Sequence, residues 1–255
     1  MAGVHCGSVP AVFGSSVRQF LKNLRTALTY LSILLPGLVF AQAQMSTPGS
    51  FAVSPSGAGT YTIPIQISPG TAGMQPNLSL TYNSQGGNGL AGVGWSLSGL
   101  SAIHRCPATY VQDGFKGGVK FDANDRFCLD GQRLKVIAGA NGGDGTEYRT
   151  EKESFSRIRS YGVCGSGPCA WTVETKSGIT MEFGNTNDSR VEAASQPIGT
   201  PRAVVRLWAV NRVLDRVGNF YSVLYYEDSI SGIHVPLSIG YTGNINTGSL
   251  TYAGV

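Results

Sequence analysis

Between positions 60 and 67 the chain alternates strictly: Tyr61, Ile63, Ile65 and Ile67 are apolar, while Thr60, Thr62, Pro64 and Gln66 are not. A period of two gives an extended segment one apolar and one polar face, which predicts a half-buried strand. Pro64 has no N–H to give to a ladder, so it belongs at an edge or where its missing donor faces solvent. Pro69 and Gly70 then turn the chain, and Leu78, Leu80 and Tyr82 alternate with Ser79 and Thr81 in a second strand. The glycine-dense run 86–94 follows, and Trp95, Leu97 and Leu100 resume the apolar pattern.

Further strand-like segments recur at 118–121, 133–137, 155–161, 170–175, 180–183, 203–215, 220–227, 237–241 and 250–252. Clusters rich in Gly and small polar residues at 139–145, 162–168 and 184–189 read as loops between them. Two stretches, Trp171 to Phe183 and Ala209 to Tyr226, each read as strand, Gly-containing turn, strand. After the first 43 residues no segment holds a helical period over about 12 residues, so the fold class is all-β, built from short antiparallel strands and hairpins with Gly-rich loops.

Residues 1–43 read as a secretion signal helix: Arg18, Lys22 and Arg25 precede the apolar run 27–40, and Ala41-Gln42-Ala43 offers a small-x-small cleavage site. The rival is a retained anchor, but Pro36 and Gly37 interrupt a run shorter than the ~20 residues a spanning helix needs. Cleavage leaves a domain at 44–255 and a secreted, extracellular protein exported through a bacterial inner membrane. It also removes three basic residues and no acidic ones, so the formal charge falls from +4 to about +1. No basic footprint for nucleic acid remains.

Four cysteines stay in the mature chain: Cys106, Cys128, Cys164 and Cys169. An even number in an oxidising compartment favours disulfides, and four cysteines allow three pairings. Nearness in sequence prefers Cys106 with Cys128 and Cys164 with Cys169, worth roughly 3 and 2 kcal/mol as loop closures. Free thiols and a four-thiolate zinc site are the alternatives, although the four-residue gap between Cys164 and Cys169 has no second close pair beside it to complete a zinc site.

The stretch PGTAGMQPNLSLTYNSQGGNGLAGVGWSLSGLSAIHR at 69–105, continued by FDANDRFCLDGQRL at 121–134, resembles the amino-terminal region of the Salmonella virulence plasmid B protein (SpvB-type) family. The same region is found in B components of insecticidal toxin complexes and in Rhs-type toxin proteins. The resemblance implies a secreted, toxin-associated β module belonging to a larger hollow shell, with toxin-complex subunits or downstream shell and toxin segments as partners. It also implies that 44–255 is the start of a longer family pattern, truncated at the carboxyl end. Asp215-Arg-Val-Gly218-Asn219 resembles the D-x-x-G-N turn of the tyrosine-aspartate repeats in shell-forming toxin proteins.

Motifs that could carry chemistry have structural readings that fit better. Gly87-Asn-Gly89-Leu-Ala-Gly92 matches G-x-G-x-x-G, but Gly94 and Gly99 interrupt the helix that should open there and point its N–H groups at a pyrophosphate. Glu151 and Glu153 have the spacing of the Glu-x-Glu pair in the separate carboxyl-terminal ADP-ribosyltransferase domain of some relatives. Here the pair lies in the amino-terminal region among Arg149, Lys152 and Arg157, as on a solvated strand or turn. Asp122, Asn124, Asp125 and Asp130 could offer oxygens to calcium, yet their spacing fails the EF-hand pattern and Asx turns account for them. His104, beside Arg105 and Cys106, reads as a strand-end residue, and His234 lies 130 positions away.

The expectation is therefore a non-catalytic, cofactor-free and metal-free scaffold with no stable membrane span after cleavage. Trp95 is its expected core anchor, and Gly89, Gly92 and Gly94 shape its loop. The alternative is a free-standing secreted adhesin or carbohydrate-binding module presenting Tyr61, Tyr82 and Trp171.

Overall fold

The computed structural model describes residues 48–195, 200–228 and 231–247, together with positions 19 and 23. Of the expected signal at 1–43 only positions 19 and 23 are described, both helical, and the expected strand at 250–252 lies outside the described residues. No helix among the described residues is long and apolar enough to cross a membrane.

The first sheet has the order β1 (Ser50–Val53), β2 (Gly59–Pro64), β3 (Ser79–Asn83), β6 (Trp95–Ser98), all antiparallel. Its register explains Pro64: β1 pairs with β2 only as far as Ser50 opposite Thr62, so the edge lacking a donor has no neighbouring strand to disappoint. Two-residue strands β4 (Asn88–Gly89) and β5 (Gly92–Val93) pair within the loop before β6.

The second sheet closes on itself. Strands β7 (Ala102–Cys106), β8 (Arg126–Leu129), β9 (Gln132–Ala138), β10 (Glu147–Thr150), β11 (Arg157–Tyr161), β12 (Ala170–Glu174) and β13 (Thr180–Phe183) form a meander in which each strand pairs with the next. The 15-residue strand β15 (Thr200–Leu214) then pairs with β13 through Leu214 to Val210 and with β7 through Ala209 to Leu207. Eight strands thus make an antiparallel barrel, which removes its own edges. β14 (Arg190–Ser195) and β16 (Asn219–Asp228) extend from β15, and β17 (Ile233–Asn244) completes a long hairpin with β16. The β8–β9 turn is Asp130-Gly131, both at positive φ of 47° and 82°, as a two-residue hairpin turn requires.

An eight-stranded barrel has an interior just wide enough for side chains to fill. Here Trp171, Trp208, Phe127 and Tyr148 fill it, each no more than 1% exposed, with ring centroids 5.0–6.3 Å apart in edge-on and tilted contacts. Ile103, Leu134, Ile158, Val173, Phe183 and Val210 pack around them. A second core joins Leu78 to Ala209, Val223, Tyr225 and Ile239, with Leu97 and Leu100 against it, and so seats the first sheet on β15, β16 and β17.

Four expectations change. Residues 118–121 form no strand: Phe121 has φ 61°, and the N–H groups of Lys120 and Phe121 donate to the Asp125 carboxylate instead of to a ladder. Trp95 is half-buried, packed on Tyr82 at 5.4 Å, while the fully buried tryptophans are Trp171 and Trp208. Trp171 lies inside the barrel and is not a presented aromatic, and Tyr61 and Tyr82 are half-buried cross-strand partners. His104 sits within β7, opposite Cys128 and Leu207, and not at a strand end.

Candidate functional site

One end of the barrel is stoppered by a charged side chain. Arg105 on β7 points inward, and its side chain and that of Asp125 are 1% and 2% exposed with Nη1 and Oδ2 3.0 Å apart. The remaining guanidinium donors reach backbone oxygens: Nε to Val205 at 2.8 Å, Nη1 to Asp122 at 3.4 Å and Nη2 to Ser166 at 3.3 Å. The rings of Phe127, Phe121 and Trp208 lie 5.4–5.9 Å from the cation. Burial lowers the pKa of Arg105, and the hydrogen bond and charge of Asp125 oppose that shift. Asp122 is a turn former, its carboxylate accepting from the N–H of Asn124 at 2.8 Å. The oxygen-rich segment therefore organises a cation of the protein's own, and Asp130 is committed to the N–H of Ala102 at 2.9 Å. Among the described residues no group of three His, Cys, Asp or Glu side chains is placed to hold a metal ion.

Two disulfides frame this end. Cys106 is bonded to Cys128 across β7 and β8, and Cys164 to Cys169 within a loop between β11 and β12. The second closes a small ring from which Ser166 O reaches Arg105 and Pro168 O accepts the Trp208 Nε1–H at 3.1 Å. Gly167 lies so close that a Cβ there would fall 2.3 Å from Arg105 Nη2. The loop is thus a lid on the barrel's aromatic filling.

Outside the barrel wall, the short helix α1 (Tyr110–Asp113) is capped by Thr109, whose hydroxyl accepts from Gln112 N. Its last residue, Asp113, receives Arg126 Nε at 2.8 Å and Arg133 Nη1 at 3.0 Å. Partial desolvation works to raise the Asp113 pKa, but the Thr109 N–H and the two guanidinium groups outweigh it and hold it low. A cleft of about 440 Å³ lies beside this network, bounded by the Cys106–Cys128 bond, Gln112, Arg133, Glu151 and Lys152. Glu151 follows β10, donates its N–H to Arg133 O, and pairs with Lys135 at 3.6 Å. Glu153 is exposed and accepts from Phe155 N, so the Glu-x-Glu spacing forms a turn.

The glycine run is a miniature hairpin rather than a strand leading into a phosphate-facing helix. Gly94 N bonds Gly87 O, Asn83 N bonds Gly94 O, and β4 pairs with β5. Gly94 has φ 80°, and a Cβ there would stand 2.8 Å from Asn83 O; at Gly89 it would stand 1.9 Å from Trp95 O. Gly92 has φ 111° and open space around it, so its glycine answers to conformation alone.

Three hairpins share one turn. In each, residue i donates its N–H to the carbonyl of i+4, the i+3 glycine donates back to i, and the side-chain oxygen of i accepts from the N–H of i+4. The set is Ser54 with Gly57 and Ala58, Thr175 with Gly178 and Ile179, and Asp215 with Gly218 and Asn219. All three glycines have φ between 81° and 88°. The Asp215 copy is the most elaborate: its carboxylate also accepts from Val217 N and Asn219 Nδ2, and Asn219 in turn accepts from Asn244 of β17. The β1–β2 copy carries the same signal in sequence, Ser-Pro-Ser-Gly, a short oxygen-bearing side chain three residues before glycine, but the strand before it is too short to mark a hairpin.

Residues 53–240 match the family model described as Salmonella virulence plasmid 65kDa B protein. The chain belongs to this family. The match runs from the end of β1 into β17 and so contains the complete barrel. A curated member, the mono(ADP-ribosyl)transferase SpvB of Salmonella typhimurium, is 38% identical over 189 residues, which cover 62% of this chain and 30% of that protein. The protein of that name from Salmonella dublin matches to the same extent. The chain thus aligns with under a third of the length of these curated relatives. Among solved structures, the TcdB2-TccC3 crystal structure superposes with a TM-score of 0.63 at 22% identity, covering 82% of this chain and 11% of that one. The N-terminal domain of effector protein SpvB from Salmonella typhimurium strain LT2 superposes with a TM-score of 0.55 at 20% identity, covering 74% and 69%. These likenesses establish the fold, and the family member adds the kinship in sequence.

Proposed function

We propose that this chain is a secreted, non-catalytic structural module of a virulence or toxin-complex protein, contributing strands to a β-shell that carries or protects a toxic polypeptide. The observation carrying this reading is the superposition on a small part of a much longer toxin-complex chain, over 82% of this one. The chemistry of the fold supports it. The barrel's interior is occupied by its own aromatic rings, its buried charge is neutralised internally, and its G-x-G-x-x-G and Glu-x-Glu patterns are committed to turns. The adhesin alternative loses Trp171, the largest aromatic it relied on, to the barrel core.

Replacing the matching segment of the TcdB2-TccC3 chain with residues 48–247 tests the reading directly. Electron microscopy should show a closed particle of the parental size; soluble chimaeras with an open or collapsed shell would count against it. Two further arms address the rest of the proposal. Alkaline phosphatase fused after residue 43 should become active in the periplasm, and the purified chain should transfer no label from NAD to proteins of a cell lysate.

A further inference from the structure

The loop 162–169 covers the barrel's end with few backbone bonds of its own. Where it leaves β11 and rejoins β12, Gly162 N donates to Asp144 Oδ1 at 2.8 Å and Cys169 N to Tyr161 O at 2.9 Å. Between them Cys164 N donates to Gly167 O at 2.7 Å, and Ser166 Oγ donates to Phe121 O. Ser166 O and Pro168 O, which receive Arg105 and Trp208, both lie inside the ring that the Cys164–Cys169 bond closes. That bond therefore keeps the two carbonyls in place. The sulfur pairs of the protein differ in their surroundings. Cys106 and Cys128 are each 6% exposed, and the β7–β8 ladder holds them close whether or not they are bonded. Cys164 and Cys169 are only half-buried. Arg190, which opens β14, places Nη1 3.8 Å from Cys164 Sγ and turns Nη2 to Asn187 Oδ1. A sulfur beside a fixed cation carries negative charge more readily and departs faster in thiol exchange. Gly162, at φ 69°, faces the other sulfur: a Cβ there would stand 3.2 Å from Cys169 Sγ, so the missing side chain leaves that sulfur open to approach.

We propose that the loop 162–169 is a reductively released lid: a dithiol opens Cys164–Cys169 in preference to Cys106–Cys128, Arg190 steadies the departing Cys164 sulfur, and the barrel's end is uncovered. In the first step a thiolate of the dithiol attacks Cys169 Sγ and forms a mixed disulfide. The Cys164–Cys169 bond breaks, and its electron pair leaves with Cys164 as a thiolate beside the Arg190 guanidinium. In the second step the remaining thiol of the reductant, as its thiolate, attacks its own partner sulfur. The dithiol becomes a cyclic disulfide, oxidised by two electrons, and Cys169 is released as a thiolate that takes a proton from water. With the ring open, Ser166 O and Pro168 O are free to leave, and Arg105 Nη2 and Trp208 Nε1 exchange them for water. The Arg105–Asp125 pair and the Phe127, Trp171 and Trp208 contacts do not involve the ring, so the barrel itself stays folded.

Reduction of the full chain by dithiothreitol near neutral pH, quenched at intervals by alkylation and mapped by mass, tests the lid. Cys164 and Cys169 should be labelled about tenfold faster than Cys106 and Cys128. Tryptophan emission should move to longer wavelength in step with that first pair. With glutathione, a monothiol, the trapped adduct should sit on Cys169 and the free thiol at Cys164. Arg190→Gln should slow reduction of this pair about fivefold and leave Cys106–Cys128 unchanged, and Arg190→Lys should restore most of the rate. Should the Arg190 variants fail to fold, the order of labelling and the adduct site in the wild type still decide. Both pairs reduced together, an adduct on Cys164, an Arg190→Gln rate equal to the wild type, or reduction of the lid without a spectral shift would overturn the proposal.

Discussion

Arg105 and Asp125 form an ion pair in which both side chains are almost wholly withdrawn from solvent, at the point where the barrel's aromatic filling meets its lid. Removing one partner leaves the other charge buried, whereas removing both leaves a shape that apolar atoms can fill. Asp125→Ala should therefore cost about 3–5 kcal/mol in urea unfolding. The double variant Arg105→Met/Asp125→Leu should recover most of that loss. A single variant as stable as the wild type would mean that the pair is hydrated in solution.

Trp171→Ala opens a cavity among Phe127, Tyr148 and Trp208 and should cost about 3–5 kcal/mol. Trp95→Ala, at a half-buried site on the first sheet, should cost about 1–2 kcal/mol by the area it uncovers. Denaturant melts of the two variants check the order, and a larger loss at Trp95 would move the main anchor back to the glycine hairpin. Sequence alone could not rank the tryptophans. Trp95 follows the glycine signature, but the neighbours that enclose Trp171 come from strands distant in sequence.

Strand content was legible where alternation was clean and turns were marked, as in β2, β3, β12, β13, β16 and β17. It failed where a strand was short or its outward face charged. β10 is Glu-Tyr-Arg-Thr, with only Tyr148 and Thr150 buried, and it reads as part of a charged turn. β14 buries Val191 and Ala193 around an outward Glu192, a pattern too brief and too small in side-chain volume to announce itself. Barrel closure was invisible for a different reason. It depends on β15 pairing with β13 along one edge and with the distant β7 along the other, and no local pattern encodes such long-range ladders. Of the site residues, the cysteines, the glycines and the Asp215 turn were legible. Arg105 is not legible as a buried residue, because a charged residue inside a strand ordinarily faces solvent.

The two disulfides should differ in what they protect. Cys106→Ser/Cys128→Ser should cost about 3 kcal/mol and Cys164→Ser/Cys169→Ser about 2 kcal/mol as loop closures. Only the second should expose the filling, because its ring supplies Ser166 O to Arg105 and Pro168 O to Trp208. Tryptophan fluorescence should shift to longer wavelength in that double variant and stay near the wild-type position in the first. Peptide mapping of the unreduced protein should recover the two pairs, and four alkylatable thiols would contradict them.

The shared hairpin turn gives a controlled comparison between a titrating and a non-titrating side chain. Partial desolvation favours the neutral form of Asp215, but hydrogen bonds from the Asn219 side chain and from the N–H groups of Asn219, Val217 and Gly218 outweigh it and lower its pKa. A depressed carboxyl stabilises the fold above its ordinary value near 3.8 and loses that contribution as pH falls through the lower folded value. The stability gap between wild type and Asp215→Asn should therefore be widest near neutral pH and should shrink as pH falls below about 4. Thr175 makes the same contact with Ile179 N through a hydroxyl that does not titrate in this range. Thr175→Val should consequently lose about 0.5–1.5 kcal/mol by the same amount at every pH. A pH-independent gap at Asp215, or a pH-dependent one at Thr175, would show that the two turns are not held by the bonds they share.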